Sequence, residues 1–437
     1  MKYSQFNSII PYRDKFAVYN SFENKVIFLE PELKDILLSE VKNMDNLKKL
    51  HPEFYDYLLY NKFIVSDDYN EIEAVKKISG ETDNNAKMFH LTINPTMNCN
   101  FKCWYCYETH VKQSYMSCEI MENIKKLTSS LLQDKDLEFL YFSFFGGEPL
   151  IYFIKNVIPL IDFAVQEANI YDKKLSIGFT TNGYLINDRL INYFNKKQVK
   201  PHFQITLDGY HEKHDKVRFI TETKGSYFTI INNIKKLIKN EMPVRLRINY
   251  TNENLDDTYK IADDFADTDR EILKKYLMID YHRVWQNQKA DDLNVILDRN
   301  LQIFRDKGLN VLGSFNQNSI RSSCYADKRN SAVINYNGDV FKCTARDFTT
   351  EIREGFLNDE GKIIWENNSL ERRMNAKFHN KPCLSCRLLA ICNGGCSQHA
   401  LDNLGKEGFC INYFDETEKD KVIKTKVDLI VYEHEKA

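Results

Sequence analysis

The sequence predicts an α/β fold: a partial (β/α)6 barrel, preceded by an N-terminal winged-helix-like domain and followed by a cysteine-rich domain. Three observations carry this expectation. From residue 88, six apolar, β-rich runs alternate with longer stretches of helical spacing, the pattern of a parallel sheet wound with helices. The first 80 residues hold no cysteine and read as short strands followed by helices. Ten of the 11 cysteines fall in two groups, Cys99 to Cys106 and Cys324 to Cys410, with only Cys118 between them.

In the N-terminal domain (1–80), strands are expected at Phe6 to Tyr12, Lys15 to Tyr19 and Lys25 to Leu29. Leu33, Ile36, Leu37 and Val41 then share one face of a helix, and Leu47, Leu50, Phe54 and Leu58 one face of a second. A last strand runs through Phe63, Ile64 and Val65, and the charged stretch SDDYNEIEAVKKISGETDNN reads as a linker. Winged helices commonly read DNA, yet residues 1–77 carry 11 Lys and Arg against 13 Asp and Glu, so no basic recognition face is visible.

The barrel (88–309) is expected to use LTINPT (91–96), LYFSFFGG (140–147), LSIGFTTN (175–182), HFQITLDG (202–209), VRLRINYT (244–251) and YLMIDYHRV (276–284) as strands. Barrels of this kind place chemistry at the C-terminal ends of their strands, where CNFKCWYC, GGEP, TTNG and TLDG all lie. Residues 310–412 lack regular periodicity, as expected where metal ligation substitutes for an apolar core. Residues 413–437 read as a charged, peripheral helix.

A hydrophobic fraction of 43% with 13% aromatics excludes a disordered chain. The net charge of −2 offers no field to gather nucleic acid or anionic lipid, so neither is an expected partner. Charges and a proline stand where a secretory signal needs an apolar core, and no run of about 18 apolar residues is expected to span a bilayer. The chain therefore reads as cytoplasmic, where clustered cysteines serve as metal ligands more often than as disulfides.

Cys99, Cys103 and Cys106 form C-x3-C-x2-C after the first barrel strand, with Tyr105 before the last cysteine. Three thiolates are one fewer than a closed zinc site or a fully ligated cubane needs, which leaves one iron of a cluster open. A three-cysteine zinc knuckle is the alternative. Gly146-Gly147-Glu148-Pro149 ends the second strand, where paired glycines permit close backbone approach and Glu148 can accept from an ammonium group. Spacing, aromatic and position together resemble the radical S-adenosylmethionine (SAM) superfamily. The resemblance implies that Cys99, Cys103 and Cys106 hold a 4Fe–4S cluster whose open iron chelates SAM, and that the Gly146, Gly147 and Glu148 loop binds the SAM amino group. It further implies SAM contacts at Tyr105, Thr181, Asn182 and Thr206, and a carboxylate contact at Arg218. Ordinary turns and a surface ion pair are the alternatives there. Trp104, Tyr105, Phe144 and Phe145 would help keep water from the radical, or simply pack.

Cys324-x13-Gly338-x4-Cys343, then Cys383-x2-Cys386-x5-Cys392-x3-Cys396, then Cys410 resemble the seven-cysteine SPASM pattern of auxiliary iron–sulfur domains. That likeness implies two auxiliary 4Fe–4S clusters, Cys383, Cys386, Cys392 and Cys410 holding the outer one. Cys324, Cys343 and Cys396 would hold the inner one and leave an iron open. A zinc ribbon is the alternative for the central four. Cys118 reads as a small core hydrophobe.

Extension, barrel and SPASM region, in that order, resemble peptide-maturing radical SAM enzymes. The resemblance implies that the N-terminal domain adds the leader of a ribosomally made precursor peptide to a sheet edge, Lys25 to Leu29 being the candidate, unless the domain is a purely structural cap. It implies reductive SAM cleavage to a 5′-deoxyadenosyl radical, a crosslink in the peptide, with thioether favoured over carbon–carbon or ether, and an electron donor such as flavodoxin or ferredoxin. A sulfatase-maturating oxidase is a second reading, although that enzyme places aspartate after the cysteine matching Cys343, where Thr344 stands here. A non-enzymatic metal-stabilised binding protein is a third.

Overall fold

The computed structural model describes residues 1–221, 224–286, 293–312, 319–406 and 408–436, and the chain divides into two units. The first comprises Met1–Asn85 with the described residues of Asn316–Arg329 and Leu370–Ala437. Its strands are β1 (Lys2–Tyr3), β2 (Asn7–Tyr12), β3 (Lys15–Asn20), β4 (Lys25–Leu29) and β5 (Ile64–Val65). β2, β3 and β4 form an antiparallel sheet in that order, so β4 pairs with β3 alone and is an edge strand, while β1 pairs with β5.

Alternation along these strands buries both faces of the sheet. Val18, Ile27 and Leu29 pack with Leu37, Leu47 and Leu58 of the helices Pro31–Glu40, Met44–Leu50 and Pro52–Tyr60. Ile10, Tyr12, Ala17 and Tyr19 pack with Leu388, Ile391 and helix Glu416–Lys436. The terminal helix is therefore not peripheral. Ile423 and Val427, one turn apart, are fully buried, and Val422, Ile430 and Val431 pack beside them.

The expected linker is likewise a helix, Glu71–Asp83, whose start is capped by the Asn70 side chain accepting from the Glu73 N–H at 3.1 Å. Val75, Ser79 and Asp83 recur at four-residue spacing on its buried face. Asp83 pairs there with Lys377, which also stands 3.6 Å from Asp327, and all three are under 10% exposed. Removing the shared cation strands two buried carboxylates, so Lys377→Ala is expected to cost about 3–5 kcal/mol. Chemical denaturation checks this, and a loss below about 1 kcal/mol, the value of an exposed pair, would contradict it.

The second unit comprises the described residues of Ala86–Phe315 and Asn330–Ser369. Its strands are β6 (Met88–Ile93), β7 (Phe139–Phe144), β8 (Lys174–Thr181), β9 (His202–Leu207), β10 (Phe219–Thr221), β11 (Lys224–Gly225), β12 (Val244–Tyr250), β13 (Leu277–Arg283), β14 (Asn310–Leu312), β15 (Ser331–Ile334), β16 (Asp339–Phe341), β17 (Gly355–Leu357) and β18 (Ile363–Trp365). Apart from the small β10–β11 hairpin they make one sheet, ordered β14-β13-β12-β9-β8-β7-β6-β15-β16-β17-β18. The six expected strands are consecutive neighbours, all parallel. The sheet extends past them on both sides: β14 adds to the β13 edge, and β15 lies parallel to β6 before the chain turns antiparallel. The first strand begins and ends three residues earlier than expected, stopping before Pro95, which has no N–H to give a ladder.

Residues such as Leu91, Phe142, Phe179, Ile205, Leu246 and Ile279 meet the helices in one apolar core. Phe144 belongs to it, stacked on Phe179, so it packs rather than guards a site. The helical run Pro149–Ile170 is long and apolar enough to cross a membrane, contrary to expectation. Its Leu150, Val157, Leu160, Ile161 and Ala164 instead join the core against the sheet. Cys118 is exposed at the first position of helix Cys118–Gln133, capped by Ser117, so it is not a core residue.

Candidate functional site

The C-terminal ends of β6, β7, β8 and β9 bring most of the expected residues together. Gly146 and Gly147 have φ of 75° and 50°, a region that favours glycine. A Cβ on Gly146 would lie 2.6 Å from the Asn94 Cβ, and one on Gly147 would lie 2.3 Å from the Asn98 carbonyl oxygen. This close approach lets the loop after β7 dock on the cysteine loop after β6. The Glu148 N–H donates to the Asn98 carbonyl at 2.8 Å, and the Gly147 N–H to Glu108 Oε2 at 2.6 Å.

Glu148 is fully buried. Its Oε1 accepts from Thr181 Oγ1 at 2.7 Å and the Leu150 N–H at 3.0 Å, and its Oε2 from the Asn182 N–H at 2.8 Å. A carboxylate has about four acceptor positions, so one stays open, and no cation bonds it among the described residues. Burial pushes its pKa up against those three hydrogen bonds and the Arg218 charge. A buried, unpaired carboxylate with an open acceptor position fits an ammonium ligand. Asn182 also donates through Nδ2 to Asn100 Oδ1 at 2.7 Å, tying β8 to the cysteine loop.

Of the three cysteines of that loop, Cys99 and Cys103 are half-buried and Cys106 is exposed. Burial, then the nearby Glu148, raises Cys99 to about 12; burial, then Glu108, raises Cys106 to about 11; burial also raises Cys103. Among the described residues no three His, Cys, Asp or Glu side chains converge as ligands of a single ion. A cubane takes each of three thiolates on a separate iron.

Tyr105 points its hydroxyl to Asp208 Oδ1 at 2.5 Å and accepts from Arg218 Nη2 at 2.8 Å and Asn249 Nδ2 at 2.9 Å. Arg218 is not at the surface: it is 8% exposed and its Nε pairs with Asp208 Oδ2. Thr206 is buried one residue pair below Asp208 on β9. Trp104 stands edge-on to Tyr105 but is 59% exposed, so it shields little. Phe145 meets Phe348 edge-to-face.

His214 holds this network from behind. Its Nδ1 accepts from the Asp208 N–H at 3.1 Å and its Nε2 faces Ser226 Oγ at 3.0 Å, while burial lowers its pKa to about 4. The unfolded chain then binds a proton that the folded one refuses between about pH 6.5 and 4, so stability falls as pH drops through that window. His214 is expected to contribute about 2 kcal/mol of that loss between pH 7 and 5. Denaturation of His214→Gln at both pH values checks it, since the variant should lose correspondingly less.

Asp208, His214, Asn249 and Glu108 were not singled out from the sequence. Asp208 sat inside the quoted TLDG, and period-two counting along β12 would have put Asn249 beside Asp208 on the face opposite the apolar core.

In the first unit, Cys383, Cys386, Cys392 and Cys410 lie close enough to feel one another's charge: Cys392 is raised to about 12 by burial, then by the other three. Amide groups donate to three of these sulfurs, Asn412 Nδ2 to Cys392 at 3.2 Å, Asn380 Nδ2 to Cys383 at 3.5 Å and the Leu388 N–H to Cys386 at 3.4 Å. Cys324 and Cys396 are exposed in the same unit, and Cys343 belongs to the second, where its sulfur accepts from the Ala345 N–H at 3.3 Å.

The Radical SAM superfamily matches residues 93–265, which span β6 to the segment after β12 and contain all three loop cysteines and Glu148. The chain carries a radical SAM domain and is an enzyme. Such a domain binds SAM and a 4Fe–4S cluster, and SAM bound there and reduced by one electron would supply a carbon-centred radical. The chain is 25% identical over 349 residues to the cysteine-type anaerobic sulfatase-maturating enzyme of Clostridium novyi (strain NT), covering 72% of this chain and 90% of that relative. Its fold is similar to native anSMEcpe with bound AdoMet (TM-score 0.58, 18% identity, 78% of this chain and 100% of that one). It is also similar to Streptococcus suis SuiB bound to S-adenosylmethionine (TM-score 0.51, 17% identity, 95% of this chain and 99% of that one).

Proposed function

We propose that this radical SAM enzyme is a peptide maturase that installs a crosslink in a ribosomally synthesised precursor. The carrying observation is coverage: the similarity to SuiB extends over 95% of the chain, taking in the N-terminal domain, against 78% for anSMEcpe. A SuiB structure bound to precursor peptide SuiA also matches, over 91% of this chain with a TM-score of 0.52. In this reading Cys99, Cys103 and Cys106 hold the cluster, Glu148 receives the SAM ammonium, and Tyr105, Thr181, Asn182, Thr206 and Arg218 shape the remaining SAM site. β4, an edge strand with Phe28 40% exposed, is the place where a leader peptide would add.

Cys383, Cys386, Cys392 and Cys410 would carry an outer auxiliary cluster, their thiols releasing protons as iron binds. Cys324, Cys343 and Cys396 would supply a second. Three thiolates leave one iron for an external thiolate, so a substrate cysteine is the favoured fourth ligand and a thioether the favoured product, ahead of a carbon–carbon or ether bond.

Oxidation of a sulfatase cysteine is the second reading, favoured by the Clostridium novyi relative. Against it, Thr344 follows Cys343, and Asp347 further along is committed to the Thr109 N–H and hydroxyl at 2.7 and 2.5 Å. Co-expression with short peptides encoded beside the gene, followed by mass spectrometry, separates the two. The proposal expects a loss of two hydrogens per new bond in a peptide; formylglycine in a sulfatase and an unchanged peptide would overturn it.

A further inference from the structure

Parallel register places Thr206 of β9, Arg247 of β12 and Asp280 of β13 side by side on the sheet face opposite the apolar core. Leu246 and Ile248, the neighbours of Arg247 in sequence, lie in that core. Arg247 is half-buried and donates through Nε to Asn249 Oδ1 at 2.9 Å, which places it one residue from the Tyr105 hydroxyl that Asn249 also contacts. Its two terminal nitrogens donate to no protein atom among the described residues. The adjacent Asp280 is engaged elsewhere, with His282 Nε2 at 2.9 Å and Arg245 Nη1 at 3.7 Å from its Oδ2. Burial draws the Arg247 pKa down, opposed by Tyr107, Asp280 and Tyr105. Tyr107, one of those neighbours, stacks on Trp285 with ring centroids 5.7 Å apart and planes 9° apart.

A desolvated cation without a bonded anion lacks the partner that buried charges ordinarily keep. The open fork of a guanidinium matches a carboxylate in bidentate geometry. SAM has a carboxylate, but it shares a carbon with the ammonium that Glu148 would hold. Glu148 bonds Thr181 at the end of β8, and β12 lies two strand spacings from β8, about 10 Å across. One amino-acid head group does not bridge that span.

We propose that Arg247 binds a carboxylate of the substrate peptide, so that the enzyme selects a precursor with an acidic side chain, or its terminal carboxylate, beside the residue being modified. This rests on the peptide-maturase reading and on Glu148 as the ammonium site.

The test uses the full chain, cluster-loaded and saturated with SAM. In the first arm, N-acetyl-L-glutamate N-methylamide and its glutamine counterpart are titrated calorimetrically. The acidic probe is expected to bind roughly tenfold or more tightly than the neutral one, with that preference lost in Arg247→Gln and partly kept in Arg247→Lys. No preference in the native enzyme would overturn the proposal, whether or not any precursor has been found. In the second arm, the precursor encoded beside the gene is assayed with each Asp and Glu singly changed to its amide and with its C-terminus amidated. One change is expected to raise KM about tenfold in the native enzyme and to add nothing in Arg247→Gln. If Arg247→Gln instead weakens SAM tenfold and leaves the peptide KM unmoved, the carboxylate is that of SAM and the proposal fails. Acidic-probe binding together with no modified peptide would reject the maturase reading while leaving the carboxylate site standing.

Discussion

Changing Cys99, Cys103 and Cys106 together to alanine is expected to abolish SAM cleavage and to remove one cluster's worth of iron. The three thiols occupy one loop on β6, and the C-terminal cysteines of the first unit are held by separate elements. Loss at one group should therefore leave the other loaded. The proposed count of clusters makes the expected fall about one third of the iron. Metal analysis and the SAM-dependent appearance of 5′-deoxyadenosine check both halves. Loss of all iron, or retained cleavage, would show that these cysteines do not hold the catalytic cluster.

Glu148→Gln is expected to weaken SAM binding by roughly 1–3 kcal/mol, about five- to 150-fold. Glutamine keeps the shape and some of the acceptors that Thr181, Leu150 and Asn182 require, but removes the charge that an ammonium would meet. Alanine would strand three donors in a fully buried site and confuse misfolding with lost affinity. The same carboxylate sets a pH dependence. Burial raises its pKa, and only the ionised form pairs with an ammonium, so SAM affinity should fall as pH drops through that raised value. Equilibrium dialysis across pH checks it: the native enzyme should show the decline and Glu148→Gln should be flat.

The parallel sheet was legible because its strands are buried on the helix side by near-continuous apolar residues and end in glycine-rich turns. LYFSFFGG and HFQITLDG announce both features at once. The position of the loop cysteines and Glu148 at the strand ends was legible for a related reason, because the motifs directly follow those strands in sequence. Other features depend on partners distant in the chain. The helix Glu71–Asp83 has a highly charged sequence, and its buried Asp83 is explained only by Lys377, nearly 300 residues away. Ile423 and Val427 carry no amphipathic signature strong enough to predict the strands β2 and β3 they cover. The segment after residue 310 looked irregular because its short strands β14 to β18 borrow register from β13 and β6 rather than showing a period of their own. Arg247 was hidden for a simpler reason: in VRLRINYT an alternating arginine reads as the solvent face of a strand, whereas here it is half-buried, in register with Thr206 and Asp280.

The central claim is that the loop cysteines and Glu148 form a site for reductive SAM cleavage. Its most direct test is to incubate the anaerobically reconstituted full chain with SAM and dithionite, without peptide, and to quantify 5′-deoxyadenosine and methionine. The account predicts that both appear in equal amounts and that both vanish with the Cys99, Cys103 and Cys106 triple substitution. A fully iron-loaded, reduced protein that leaves SAM intact would contradict it.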